Sequence, residues 1–257
     1  MADAKSELRE LLTIAEYAAA RAAVALKAHH GDWRGVESEE GREVKIDADK
    51  RAEALILEAL GRFAPLPIIS EEAGWVNKPD EMKAGLVWAV DPLDGSVNYL
   101  NNYPHCGVSV ALLKDGEPIL GVVDLFLLNE RFTGLVGEGA WLQGVPIKVS
   151  NVAEPARGVL NTGVPARART DAEAMKKLSD RILAWRKVRM IGSAAAALAY
   201  VAAGRAEAYR ESGSMIWDVA GGCALVRAAG GVARIDGAAL DLPLEVAAGN
   251  GLAPLPE

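Results

Sequence analysis

The sequence is poor in cysteine and histidine. Its 257 residues include three histidines and two cysteines, Cys106 and Cys223, which do not have C-x-x-C spacing. A disulfide framework and a cysteine-rich zinc site are therefore excluded. We expect both cysteines to be small buried apolar side chains.

Long uncharged runs are also lacking. The longest such run in the C-terminal half, residues 190–204, is shorter than the roughly 20 residues that a membrane-spanning helix needs. The first ten residues, MADAKSELRE, are charged and contain no apolar stretch typical of a secretory signal. We therefore expect a cytoplasmic protein with no membrane partner.

Positive charge is in short supply. The chain has 28 Lys and Arg residues against 35 Asp and Glu residues, a formal net charge of -7. A mildly acidic surface repels phosphate backbones, so we expect no nucleic acid polymer as a partner. The G-x-x-x-x-G-K-[ST] loop of P-loop kinases is absent as well. The apolar and charged contents, 51% and 25%, are ordinary for a globular chain that buries a large core.

Hydrophobic periodicity predicts an α+β fold. Leu and Ala recur at three- and four-residue steps over residues 8–23, and a second helix is expected over 48–62, with a polar, mobile loop at 32–45 between them. Residues 86–143 show short apolar runs and a turn at 114–116, the pattern of an antiparallel meander. After residue 155, short strands alternate with helices over 193–203 and 217–229, and Asp218 is expected at the N-cap of the latter. We predict two subdomains, 1–150 and 151–257.

Three acidic clusters follow apolar residues: Ile69-Ser70-Glu71-Glu72, Asp91-Pro92-Leu93-Asp94-Gly95-Ser96 and Trp217-Asp218. A carboxylate beside an apolar core is costly unless a cation meets it, and no Lys or Arg lies inside these clusters. Mg²⁺ prefers oxygen ligands, which suits a chain with so few His and Cys residues. The clusters therefore predict a magnesium site.

The second cluster has a spacing that serves both metal and phosphate. Pro92 turns the chain, so that Leu93 can aim its carbonyl at an ion held between the two aspartates. Gly95 allows close approach of the backbone, and Ser96 would begin a helix whose N–H groups can hold phosphate oxygens. This arrangement predicts a phosphate socket that needs neither Lys nor Arg.

Each cluster also has a plainer interpretation. A Glu-Glu pair is more often solvated surface, a Trp-Asp pair is more often a helix cap, and an isolated D-P-L-D-G-S is as often a structural turn. The joint occurrence of the three favours a site. A non-catalytic metal-binding scaffold is the alternative from a different functional class.

The combination resembles the inositol monophosphatase superfamily, the lithium-sensitive phosphatases that include fructose-1,6-bisphosphatases and adenosine bisphosphate nucleotidases. The resemblance is carried by five segments: DADKRAEALI (47–56), ISEEAG (69–74), WAVDPLDGSVNYLNNYP (88–104), GSAA (192–195) and WDVAGGCALVRAAGG (217–231). It covers nearly the whole chain and implies a layered αβαβα sandwich and a homodimer.

The resemblance implies a site with two or three Mg²⁺ ions, for which Mn²⁺ can substitute. The implied metal ligands are four acids and one backbone carbonyl: Glu71, Asp91, Leu93, Asp94 and Asp218. The implied catalytic residues, which orient or help to hold the attacking water, are Asp49, Ser96 and Glu71. The implied phosphate and substrate contacts are Asp94, Gly95, Ser96, Ala194, Glu211 and Asp218.

The implied reaction is hydrolysis of a small phosphate monoester, such as inositol 1-phosphate or fructose 1,6-bisphosphate. The alternative is a 3′(2′),5′-adenosine bisphosphate nucleotidase, whose second phosphate would require cations. Five arginines are available for that purpose: Arg167, Arg169, Arg189, Arg205 and Arg210.

Two positions depart from the family pattern. Ser96 replaces the commoner Thr and keeps the hydroxyl. Asp47, where many relatives have Thr, adds a negative charge two residues from Asp49. In a strand both acids would share a face, and in a helix they would not. The sequence leaves these alternatives open.

Overall fold

The computed structural model describes residues 2–40, 43–78, 85–165, 168 and 170–256. Six helices lie in this part of the chain: α1 (Ala2–Ala28), α2 (Asp47–Phe63), α3 (Ser96–Leu100), α4 (Ala172–Ala184), α5 (Ala194–Ala202) and α6 (Ile216–Ala228). A 3₁₀ turn spans Pro155–Arg157. None of the described helices is long and apolar enough to cross a membrane.

The strands form a hairpin and two larger sheets. The hairpin is β1 (Val36–Glu40) with β2 (Glu43–Ile46). The eight-stranded sheet contains β3 (Ile68–Ser70), β4 (Gly74–Val76), β5 (Leu86–Asp94), β6 (Gly107–Lys114), β7 (Glu117–Leu125), β8 (Glu130–Leu135), β9 (Gly139–Leu142) and β10 (Val145–Ile147). The five-stranded sheet contains β11 (Val159–Thr162), β12 (Lys187–Arg189), β13 (Ala208–Ser214), β14 (Val232–Asp236) and β15 (Leu244–Gly249).

The elements stack in five layers. On β6, Val110 and Leu112 face the core beneath α1 and α2, whereas Ala111 and Leu113 face the core shared with α5 and α6. The five-stranded sheet packs on the other side of α5 and α6, and α4 lies outside it. The predicted α+β class and αβαβα layering are confirmed. The division into subdomains near residue 150 stays a prediction.

The meander was predictable because its turns and its alternation are both visible in the sequence. Strands β6 to β9 pair in consecutive antiparallel order. Asp115 and Gly116 both have positive φ, +53° and +84°, which is the geometry of a tight two-residue hairpin turn. The two cysteines are buried and free, as expected.

Two sequence predictions were wrong. Residues 36–40 and 43–46 pair as the strands β1 and β2 rather than lying in a mobile loop, because backbone pairing builds this ribbon without an alternating apolar pattern. Asp218 is the third residue of α6 and not its N-cap. Met215 precedes the helix, and its N–H donates to Asp218 Oδ2 at 2.7 Å.

Helix α6 lies unusually close to the eight-stranded sheet. A β-carbon added at Gly121 on β7 would overlap the carbonyl oxygen of Gly221 on α6 and lie 2.9 Å from its α-carbon. One added at Gly221 would lie 2.6 Å from the hydroxyl of Ser109 on β6. Two facing glycines thus let α6, the helix that carries Asp218, contact the sheet backbone directly.

Candidate active site

Sheet pairing brings the first two acids together. Strands β3 and β5 are parallel, and Ser70 is paired with Val90, so the next residues, Glu71 just after β3 and Asp91 on β5, lie side by side. The Glu71 N–H donates to the Val90 carbonyl at 3.2 Å. The two carboxyl groups share a hydrogen bond.

Burial and mutual repulsion raise the pKa values of these two acids. Burial holds the pKa of Glu71 well above its ordinary value, and the charges of Asp218 and Asp49 raise it further. Burial also raises the pKa of Asp91, helped by the charges of Glu71, Asp94 and Asp218. The structure therefore brings acids from both ends of the chain into one electrostatic cluster.

Asp94 is held by the first turn of α5. The hydroxyl of Ser193 and the N–H of Ala195, at 2.8 Å, donate to Asp94 Oδ2, and the N–H of Ala194 donates to Oδ1 at 3.3 Å. Burial raises the Asp94 pKa to about 6 although these donors lower it. Ala194, expected against substrate, thus contacts Asp94 through its N–H. Ser193 is a site residue that the sequence reasoning missed, although it precedes the helix as an N-cap serine should.

The D-P-L-D-G-S turn has the expected local geometry. The Leu93 side chain is fully buried while its carbonyl accepts from the Ser96 hydroxyl at 3.0 Å. Gly95 has φ +85°, and a β-carbon there would lie 3.0 Å from the His105 carbonyl oxygen. The turn therefore needs glycine at this position.

Asp49 and Ser96 form a second hydrogen-bonded pair. Asp49, only 2% exposed, accepts from the Ser96 hydroxyl at 3.0 Å through Oδ1 and from the Ile46 N–H at 2.8 Å through Oδ2. Burial raises the Asp49 pKa to about 7, against the lowering effect of both hydrogen bonds. An acid with this pKa can accept a proton near neutral pH.

The helical alternative holds for Asp47. It is the first residue of α2 and pairs with Arg51 at 2.7 Å, whereas Asp49 points to Ser96. The added negative charge is thus compensated away from the Asp49–Ser96 pair.

Glu211 lies at the far side of the site on β13. Its Oε2 accepts from the Ser214 hydroxyl at 3.2 Å, and burial raises its pKa to about 7, with a further increase from the charge of Asp94. A β-carbon added at Gly163 would overlap the Glu211 carboxylate. The five-stranded sheet thus contributes an acid close enough to Asp94 for the charge of Asp94 to raise its pKa.

Three of the five arginines that the nucleotidase alternative could use are described, and each has a partner of its own. Arg205 forms an ion pair with Glu130 at 2.7 Å, Arg210 pairs with Glu245, and Arg189 donates to the Val188 carbonyl. Arg167 and Arg169 lie outside the described residues. A cation that the sequence reasoning missed, Lys45 on β2, lies 2.8 Å from Glu72 at the rim of the acid cluster.

The donor set fits hard divalent cations. Among the described residues, no three His, Cys, Asp or Glu side chains are arranged so that they could hold a metal ion. Glu71 and Asp91 instead interact with each other, and burial together with the neighbouring carboxylates raises the pKa of both acids. Carboxylate and carbonyl oxygens are ligands that suit Mg²⁺. The chemistry of these acids locates the site, whereas a cavity of about 810 Å³ lies elsewhere, between α4 and the five-stranded sheet.

Comparison with known proteins agrees with this picture. A family model described as "Inositol monophosphatase family" matches residues 7–254. The chain belongs to the inositol monophosphatase family. The resemblance of the five motif segments is thereby confirmed, and with it a phosphatase-type fold.

Individual members of the inositol monophosphatase family give the same result. The chain is 44% identical to the Nus factor SuhB of Xylella fastidiosa over 72% of this chain and 66% of that relative, so it spans about two thirds of the relative's length. It is 34% identical to inositol monophosphatase 1 of Solanum lycopersicum, over 88% and 84% of the two chains. The solved inositol monophosphatase of Anabaena (Nostoc) sp. PCC 7120 superposes with a TM-score of 0.82 at 34% identity, covering 95% and 92% of the chains.

The raised pKa values predict how Mg²⁺ and pH act together on stability. The pKa values of Asp49 and Glu211 rise from their ordinary 3.8 and 4.5 to about 7 in the folded protein. Between these pH values the folded state therefore binds more protons than the unfolded state. These two groups therefore contribute a loss of stability in the metal-free protein as the pH rises from about 4 to 7. We expect Mg²⁺ to raise the melting temperature more at pH 8 than at pH 5.5, because protons compete with the ion. Thermal unfolding in EDTA and in Mg²⁺ checks this, and equal increases at both pH values would contradict it.

Proposed function

We propose that the chain is a Mg²⁺-dependent phosphatase that hydrolyses a small phosphate monoester, such as inositol 1-phosphate or fructose 1,6-bisphosphate. The observation that carries the proposal is the cluster of Glu71 and Asp91, hydrogen-bonded to each other and flanked by Asp94 and Asp218. A phosphate monoester is an anion that carboxylates repel, so this cluster can bind it only when cations lie between the two.

In this proposal two or three Mg²⁺ ions, or Mn²⁺ in their place, bind to acids of the cluster and to one backbone carbonyl. The residues proposed to hold them are Glu71, Asp91, Leu93 through its carbonyl, Asp94 and Asp218. When bound, the ions supply charge neutralisation, a lowered pKa of water and stabilisation of the leaving oxygen.

The protein groups then orient the reactants. Ser96 donates to Asp49, so its oxygen is free to accept a hydrogen bond from a water molecule, and Asp49 can take up a proton near neutral pH. The N–H groups of Gly95 and Ser96 are proposed to contact the phosphate. Asp94 and Glu211 are proposed to contact the hydroxyl-bearing part of the substrate together with Asp218, and Ala194 holds Asp94 in place. No covalent phosphoenzyme is required.

A substrate panel tests the proposal. Phosphate release is measured from inositol 1-phosphate, fructose 1,6-bisphosphate and 3′(2′),5′-adenosine bisphosphate, each with Mg²⁺, with Mn²⁺ and after EDTA treatment. We expect release from at least one of the first two that EDTA abolishes and Mg²⁺ restores. Faster release from the adenosine bisphosphate would favour the nucleotidase. Mg²⁺ binding without release from any of the three would favour the non-catalytic scaffold.

Substitution of Ser96 separates the hydroxyl from the turn. We expect Ser96→Ala to lower kcat about 100-fold, since it removes the donor to Asp49 and the partner of the water. Ser96→Thr keeps the hydroxyl and should retain most activity. Steady-state kinetics at saturating Mg²⁺ provides the measurement, and equal activity of the two variants would count against the Asp49–Ser96 pair.

The name of the SuhB relatives adds a second candidate role. The 44% identity to a Nus factor favours a Nus-factor role for this chain, either in addition to phosphate ester hydrolysis or in place of it. Replacing a SuhB relative in its host with this chain, as wild type and as Asp91→Asn, tests it. Complementation by both forms would mean that the role does not need hydrolysis.

The homodimer also stays a proposal, which analytical ultracentrifugation can check.

A further inference from the structure

Glu53 is a buried acid that the proposed reaction does not use. It lies on α2 one turn after Asp49 and is 7% exposed. Its Oε1 accepts hydrogen bonds from three donors: the Ser70 hydroxyl, the Glu72 N–H at 3.2 Å and the Ala73 N–H at 3.0 Å. A buried carboxylate oxygen with three donors is a strong anchor, since bonds to a charged acceptor are stronger than neutral ones.

The three donors lie on both sides of Glu71. Ser70 precedes it, and the other two follow it directly. The N–H of Glu71 itself is bound to the Val90 carbonyl on β5. The backbone that carries the Glu71 carboxylate is therefore fixed to β5 at one point and to α2 on either side of that point.

We propose that Glu53 is a positioning residue, which ties the 70–73 segment to α2 and so sets where Glu71 stands relative to Asp91 and Asp49. The proposal rests on the metal-binding role proposed for Glu71. It follows that α2 acts twice in the site. Asp49 contributes its own carboxylate, and Glu53, four residues later, places that of Glu71.

The test compares Glu53→Ala and Glu53→Gln with two controls on the same helix. Glu58→Gln removes the same charge from an exposed side chain. Ile56→Val thins the packing of a fully buried residue without altering a side-chain hydrogen bond. Mg²⁺ affinity is measured by calorimetry on the full chain, and the half-saturating Mg²⁺ concentration is measured for phosphate release.

We expect Glu53→Ala to weaken Mg²⁺ binding about 10- to 100-fold, the range found when a group that orients a metal ligand is removed. Glu53→Gln keeps an acceptor oxygen and should recover most of that loss, and both controls should bind Mg²⁺ as the wild type does. Wild-type Mg²⁺ affinity in a folded Glu53→Ala would overturn the inference. An equal loss in Ile56→Val would also overturn it, because affinity would then follow general stability.

A second variant covers the case in which Glu53→Ala does not fold. Ser70→Ala removes one of the three donors and leaves the acid in place, so we expect Mg²⁺ binding to weaken about fivefold, the value of one hydrogen bond. Unchanged affinity in that variant would overturn the inference. A wild-type chain that binds Mg²⁺ but releases no phosphate would refute the proposed reaction and leave the positioning role standing, so the two failures are distinguishable.

Discussion

Asp91→Asn is expected to lose activity and gain thermal stability in the absence of metal. Phosphate release should fall by more than about 100-fold, beyond the loss typical of residues that only support a metal ligand. The metal-free melting temperature should rise, because the amide replaces an acid whose ionisation is opposed in the folded state by burial and by the charges of Glu71, Asp94 and Asp218. Each kcal/mol gained should raise it by roughly 2–4 °C in a chain of this size.

A second buried aspartate provides the matched control. Asp124 on β7 is 4% exposed but pairs with Arg131 at 2.6 Å. Asp124→Asn should therefore lower the melting temperature, while phosphate release by the folded variant stays near wild type. Both substitutions replace a carboxyl group by an amide, so any difference in the sign of the change in melting temperature comes from the surroundings of the two residues.

Mg²⁺ titrations of both variants complete the experiment. The increase in melting temperature that Mg²⁺ produces should vanish in Asp91→Asn and persist in Asp124→Asn. Full activity in Asp91→Asn would remove Asp91 from the proposed site. A fall in its metal-free melting temperature would show that the acid cluster does not carry the repulsion inferred for it.

Gly121→Ala is expected to be among the most destabilising single substitutions in the chain. The added methyl group would overlap the Gly221 carbonyl oxygen, and neither backbone can move without displacing β7 or α6. Overpacking of this kind costs about 3 kcal/mol or more when backbone atoms are involved. The melting temperature should fall by about 10 °C, and activity should fall with it because α6 carries Asp218.

Gly61→Ala is the control for the second experiment. Gly61 lies in α2, and an added β-carbon would meet nothing within 4 Å. Alanine is the better helix former, so this variant should gain about 0.5–1 kcal/mol. Urea unfolding of both variants gives the comparison. A small loss at Gly121 would mean that the helix and the sheet can separate without cost.

The sequence allowed prediction of those features whose cause is local. Alternation and a turn at residues 114–116 predicted the meander, and the acids at 71, 91 and 94 were recognisable because each follows apolar residues. Helix α4 was missed because Leu178 is the one buried residue among its thirteen, which leaves little helical periodicity to detect. The meeting of Asp218 with Asp91 was available only through the family resemblance, since no local rule spans that separation.

Supporting contacts escaped for the same reason. Neither Lys45 nor Glu53, although Glu53 belongs to the 47–56 segment, could be linked to the site from the sequence, because their partners lie in a distant loop, at Glu72 and at residues 70–73. Whether Asp47 and Asp49 share a face depended on the residue at which α2 begins, and the sequence alone did not fix that residue.

The late arrival of Asp218 has a consequence for biosynthesis. Strands β3 and β5 are complete once about the first hundred residues have left the ribosome, and they already set Glu71 beside Asp91. The helix that adds Asp218 is translated more than a hundred residues later. Because Asp218 belongs to the final third of the chain, the set of ligands proposed for the ion can be complete only near the end of synthesis.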